Sequence, residues 1–97
     1  MTVNNPALTE RMAPTLRRVA GPDKIGIAKQ TTTAEDFALF AQKVPGMFFF
    51  LGITPKDTDP AKAAPNHSPR FFVDEAALVP GIRALANLAV DYLQSSK

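Results

Sequence analysis

Apolar residues recur at Leu8, Met12, Leu16 and Val19, and spacings of four, four and three predict an α-helix. Asn5 and Pro6 precede it as N-cap and first helical residue. Pro14 falls inside the pattern and is expected to kink or shorten the helix, because its ring removes a backbone donor. Gly21-Pro22 ends it. Lys24 to Lys29 then alternates, with Ile25 and Ile27 on one side, which predicts a short strand.

The period returns to that of a helix between Thr33 and Val44. Thr33 and Asp36 fit a capping pattern, and Glu35 adds charge where the helix dipole favours it. Phe37, Phe40, Ala41 and Val44 form one apolar face, and Pro45-Gly46 stops the helix. Met47 to Ile53 follows without a single polar side chain, the pattern of a strand buried on both faces. Thr54 to Pro69 has no usable period, contains four prolines and reads as a long loop. Arg70 to Val73 reads as a short strand. Asp74 and Glu75 look like a cap and a first-turn acid. Leu78, Ile82, Leu85, Ala89 and Tyr92 mark a final amphipathic helix, which Pro80-Gly81 is expected to bend or restart.

The order helix, strand, helix, strand, loop, strand, helix predicts an α/β fold with a βαβ unit at its centre. A strand apolar on both faces needs cover on both sides and neighbours on both edges. The pattern therefore allows two readings, part of a larger mixed sheet flanked by helices, or a small two-layer α/β domain that dimerises through its open face.

Composition narrows the function classes. The 97 residues suffice for one small domain, and 45% hydrophobic with 21% charged residues is globular usage. A net charge of +2 is too small to make nucleic acid the default partner. Without Cys there is no disulfide framework, thiol nucleophile or thiolate metal site. No uninterrupted apolar run approaches the ~18–20 residues of a membrane span, and Met1 to Pro6 does not read as a signal peptide. The cytoplasm is the expected compartment.

The chemistry on offer is sparse. His67, the only histidine, lies in a loop, where neutral imidazole is free to act as a metal ligand. Ser68 beside it has no nucleophile elbow around it. Glu35 and Asp36 are helix neighbours about 100° apart and do not converge as an acid/base pair; capping accounts for them better. Arg17, Arg18 and Lys24 make a mild basic patch, and no glycine-rich phosphate loop is present.

Three stretches read together are more specific. Ala34-Glu35-Asp36-Phe37, then Val44-Pro45-Gly46 running into Phe48-Phe49-Phe50-Leu51-Gly52, then His67-Ser68-Pro69-Arg70-Phe71 with Asp74-Glu75 and Leu78, resemble the C-terminal part of the metal-dependent amidohydrolase and zinc carboxypeptidase family. Hippurate hydrolases, N-acyl-amino-acid amidohydrolases and indole-acetyl-amino-acid hydrolases belong to it. The likeness runs from Val3 to about Leu93.

The resemblance implies a catalytic α/β domain with a pair of divalent metals, zinc or manganese, and an inserted dimerisation domain. Residues 1–97 resemble the segment that returns to the catalytic domain after that insertion. The insertion and the N-terminal catalytic part are expected to be absent. By resemblance His67 is a metal ligand, and Ala34 to Phe37 lies at the active-site rim. Thr33, Ala34 and Glu35 are then candidates for substrate contact. The family often has Gly where Thr33 stands, so close backbone approach is less well served here.

The remaining ligands and the catalytic carboxylate would come from elsewhere, so no catalytic residue is assigned within this chain. Alone, the chain is expected to be inactive and to bind metal weakly or not at all. Its expected partners are the remainder of the catalytic domain or another copy of itself, with a small N-acyl amino acid as substrate and neither nucleic acid nor membrane. The alternative is a non-catalytic module that associates through its Phe-rich strand.

Overall fold

A computed structural model describes residues 1–95. The first helix, α1, spans Pro6–Ala20. Its start follows from the Asn5-Pro6 pair: the Asn5 carboxamide oxygen accepts from the Leu8 amide at 2.9 Å, and Pro6 needs no amide partner in the first turn. Pro14 neither ends nor shortens α1; the helix runs through it. Gly21 terminates it with φ +97°, a conformation open to glycine, while its amide donates to the Arg17 carbonyl at 2.9 Å.

The second helix, α2, is a short one, Phe37–Ala41. The capping pattern at Thr33 does not form. Helical geometry begins only at Asp36, which makes no side-chain cap, and the Glu35 carboxylate takes the Phe37 amide at 3.3 Å. The Thr33 hydroxyl pairs instead with that of Thr31 at 2.9 Å. The last helix, α3, spans Leu78–Ser95 and is entered through a 3₁₀ turn at Glu75–Ala77. Asp74 caps that turn by accepting from the Ala76 amide at 3.0 Å. Pro80 lies in the first turn of α3, where no intrahelical amide bond is lost, and the helix runs on through it without a restart.

The α/β expectation is contradicted, because no β-strand or sheet occurs among the described residues. Of the expected strand, Lys24 ends a 3₁₀ turn at Pro22–Lys24 and residues 25–29 are irregular, with Ile27 fully exposed. Residues 47–53 and 70–73 carry no ladder. A helix closes its hydrogen bonds within its own residues, whereas a strand exists only by pairing with another. None of the three segments finds a partner strand among the described residues.

Packing centres on α1 and α3. Met12 and Thr15 of α1 and Ala84 of α3 are buried, as is Ala38 of α2. The face of α3 marked by Leu78, Ile82 and Leu85 does not enter this core; these side chains are 52%, 69% and 64% exposed. The seam uses Ala84 and the neighbouring Asn87 and Asp91 instead. The Thr15 hydroxyl donates to the Asp91 carboxylate at 2.7 Å, and Arg18 reaches the same oxygen at 2.6 Å and Asn87 at 3.1 Å. Farther along, Arg11 donates to Ser95 Oγ at 2.7 Å and lies 4.4 Å over the Tyr92 ring.

The helical stretch Glu75–Ser95 has a mean hydropathy of 1.2 and is, by length and composition alone, long and apolar enough to cross a membrane, unlike any uninterrupted apolar run in the sequence. It carries Glu75, Arg83 and Asp91, and Asp91 is held by α1.

Candidate functional site

The loop that carries His67 leaves the apolar segment at Ile53 and returns at Asp74. Its base is pinned by the Asp74 amide, which donates to the Ile53 carbonyl at 2.9 Å. Within it Asp59 caps a 3₁₀ turn at Pro60–Lys62. Two further turns follow in succession: the Ser68 amide donates to Pro65 O at 3.2 Å, and the Phe71 amide to Ser68 O at 3.0 Å. Ser68 Oγ also accepts from the Arg70 amide at 3.2 Å.

His67 occupies the third position of the first of these turns with φ +68°, the left-handed region, and is the sole non-glycine residue there among those described. Such turns favour Gly or Asn at this position. A histidine in it is held against its own preference, and residues of that kind gather at functional sites. Pro65 and Pro69 restrict the backbone on either side. The imidazole is exposed, as a ligand to an ion approaching from outside the loop must be.

The residues described do not by themselves make a metal site. No group of three or more His, Cys, Asp or Glu among them is placed to hold an ion. A catalytic zinc site takes about three protein ligands. The donor set here is one imidazole, which fits one position in a site shared with other residues.

Thr33, Ala34 and Glu35, the sequence's rim candidates, are all exposed. No hydrogen bond among the described residues joins them to the His67 loop.

Sequence reasoning missed Asn4. Its amide nitrogen donates to the Phe48 carbonyl at 2.8 Å, and its oxygen accepts from the Phe48 amide at 2.8 Å. The Asn5 amide donates to Gly46 O at 2.8 Å. The two asparagines thus tie the start of α1 to the start of the apolar segment. An Asn-Asn pair before a helix-starting Pro signals a cap, but nothing local says which distant residue the first Asn serves.

Phe48 lies between Phe37 and Phe50, with ring centroids 5.6 and 5.5 Å away. An apolar groove of about 480 Å³ separates this segment from the first turns of α3, lined chiefly by Phe48, Phe49, Leu78, Ile82 and Leu85. Gly81 allows the close approach on its floor, since a Cβ there would meet Leu51 Cδ2 at 2.8 Å.

The chain belongs to peptidase family M20/M25/M40, whose model matches residues 1–91. It is 33% identical over 92 residues to amidohydrolase YhaA of Bacillus subtilis, covering 95% of this chain and 23% of that protein. Thermostable carboxypeptidase 2 of Saccharolobus solfataricus is 38% identical over 92 residues, 95% of this chain and 22% of its own length. IAA-amino acid hydrolase ILR1-like 6 of Arabidopsis thaliana is 33% identical over 92 residues, 95% of this chain and 19% of its own.

The chain therefore spans less than a quarter of the length of these relatives. No solved structure matches it significantly. The family is one of amidohydrolases and peptidases, in general metal-dependent.

Proposed function

We propose that this chain is a piece of the catalytic domain of a metal-dependent amidohydrolase that cleaves the amide bond of N-acyl amino acids or small peptides. His67 supplies one ligand to a divalent metal, zinc or manganese, and the other ligands and the catalytic carboxylate come from the remainder of that domain. Thr33, Ala34 and Glu35 stand at the substrate rim. The observation that carries this reading is the family match over residues 1–91, within which the lone histidine sits exposed in a strained turn.

A metal of this kind polarises an amide carbonyl and acidifies a bound water. This chain's part is to present the imidazole from a loop pinned at its base. One imidazole does not retain a metal tightly, so the chain alone is expected to be inactive.

The test is direct. The purified chain is assayed against an N-acyl amino acid with added zinc or manganese, and zinc is titrated while the His67 ring signals are followed by NMR. The reading expects no turnover and a weak, saturable shift of the His67 signals that is absent in His67→Ala. Turnover by the chain alone that His67→Ala abolishes would overturn the incompleteness, and a zinc response that leaves His67 unmoved would overturn its role.

A further inference from the structure

We propose that Ser68 is a positioning residue, its hydroxyl fixing the backbone from which His67 presents the imidazole. The inference rests on the amidohydrolase reading of His67 and deepens it. A metal shared by several ligands takes each of them from a set place, and a displacement of ~1 Å at such a site costs on the order of 10²-fold in rate. Whatever sets the place of His67 is therefore part of the site.

Ser68 joins the two turns of the His67 loop through three of its own atoms. Its amide donates to Pro65 O at 3.2 Å and closes the turn in which His67 has φ +68°. Its carbonyl accepts from the Phe71 amide at 3.0 Å and opens the second turn. Its Oγ accepts from the Arg70 amide at 3.2 Å, a side-chain bond of the kind serine uses to hold a turn two residues ahead. Each contact lies within residues 65–71, so none of them needs the remainder of a catalytic domain.

The hydroxyl matters because the first turn is finely balanced. The left-handed region is disfavoured for a residue such as histidine by roughly five- to a hundredfold. One net hydrogen bond returns only about two- to tenfold, and the Pro65–Ser68 bond, at 3.2 Å, is at the long end of its range. That bond does not hold His67 by itself. Pro69 keeps Ser68 out of the helical region, and the Oγ bond ties the second turn to it, so the Ser68 amide stays on Pro65. A serine that merely stabilised the loop would change its unfolding and leave the folded His67 as it is.

The experiment is NMR on the full chain without metal, reading the His67 amide–Hα coupling and Cα shift in the wild type, Ser68→Ala and Ser68→Thr. Helical circular dichroism is followed alongside. The wild type is expected to show the left-handed signature. Ser68→Ala is expected to lower the left-handed population of His67 about two- to tenfold against its alternatives, and Ser68→Thr, which keeps the hydroxyl, to restore it. Zinc is titrated separately. A single exposed imidazole binds an ion whatever its backbone direction, because direction counts only once other ligands are fixed in space. The zinc midpoint of His67 is therefore expected to be unchanged in Ser68→Ala. Should Ser68→Ala lose its helices, the wild-type Arg70 amide decides, since its bond to Oγ requires slower hydrogen exchange than in an unstructured peptide. A left-handed signature that survives Ser68→Ala, a loss that Ser68→Thr does not restore, or a freely exchanging Arg70 amide would each overturn the proposal. A His67 that ignores zinc in all three chains while its signature follows the hydroxyl would instead overturn the amidohydrolase reading, with the control of His67 by Ser68 upheld.

Discussion

His67 pays for its position in backbone strain. A non-glycine residue in the left-handed region costs on the order of 1–3 kcal/mol, and the exposed ring recovers little by packing. Glycine adopts this φ freely but loses more entropy on folding. His67→Gly is therefore expected to raise stability by up to about 1 kcal/mol, read as a higher urea midpoint, while any zinc response is lost. A gain in stability coupled to a loss of binding distinguishes a functional histidine from an incidental one. The residue's type and its place in a proline-bounded loop were legible in the sequence. Its left-handed turn was not, because the Pro65–Ser68 bond depends on how the whole loop closes.

Among the elements, the seam between α1 and α3 joins buried Met12 and Ala84 to polar contacts at Thr15, Arg18 and Asp91. The hydrogen bond from Thr15, then that from Arg18, together with the Arg18 charge, holds the Asp91 carboxyl below its ordinary range. A lowered folded pKa stabilises the fold above the unfolded value of about 4, and that contribution is lost as pH falls through the folded value. Unfolding followed between neutral and acid pH is expected to show this decline in the native chain. Asp91→Asn is expected to flatten it and to be less stable at neutral pH.

A second test at this scale concerns Gly46, where a Cβ would lie 2.9 Å from Phe37 Cζ and 3.3 Å from Ala41 Cβ. Gly46→Ala is expected to cost roughly 1–3 kcal/mol by overpacking, seen as a lower midpoint and a displaced Phe37 ring signal. The sequence placed Gly46 as a helix stop. The close approach of α2 that makes it matter is a tertiary fact.

At the scale of the whole molecule, the chain is open. Its radius of gyration is 14.7 Å, against about 13 Å for a compact domain of 100 residues. No side chain among the described residues is fully buried. Unfolding such a chain exposes little new surface, so the dilute monomer is expected to show a urea m-value at or below the low end of the ~1–3 kcal/mol/M range of small domains. A steep, fully cooperative transition in the monomer would contradict this openness.

Those same dimensions separate what was readable in the residue order from what was not. As caps and helix stops, Asn5-Pro6, Gly21 and Asp74 act through neighbours within four residues, as their positions in the sequence imply. The motifs around Glu35, Phe48 and His67 likewise carry the family, because they are matters of residue order alone. Which segments pair, which face of α3 is covered and whether a run such as Met47–Ile53 becomes a strand depend on partners distant in sequence. Hydrophobic pattern says that a segment is suited to burial, but only the tertiary structure supplies the other side of the hydrogen bond. Here it supplies Asn4 for Phe48 and Asp74 for Ile53.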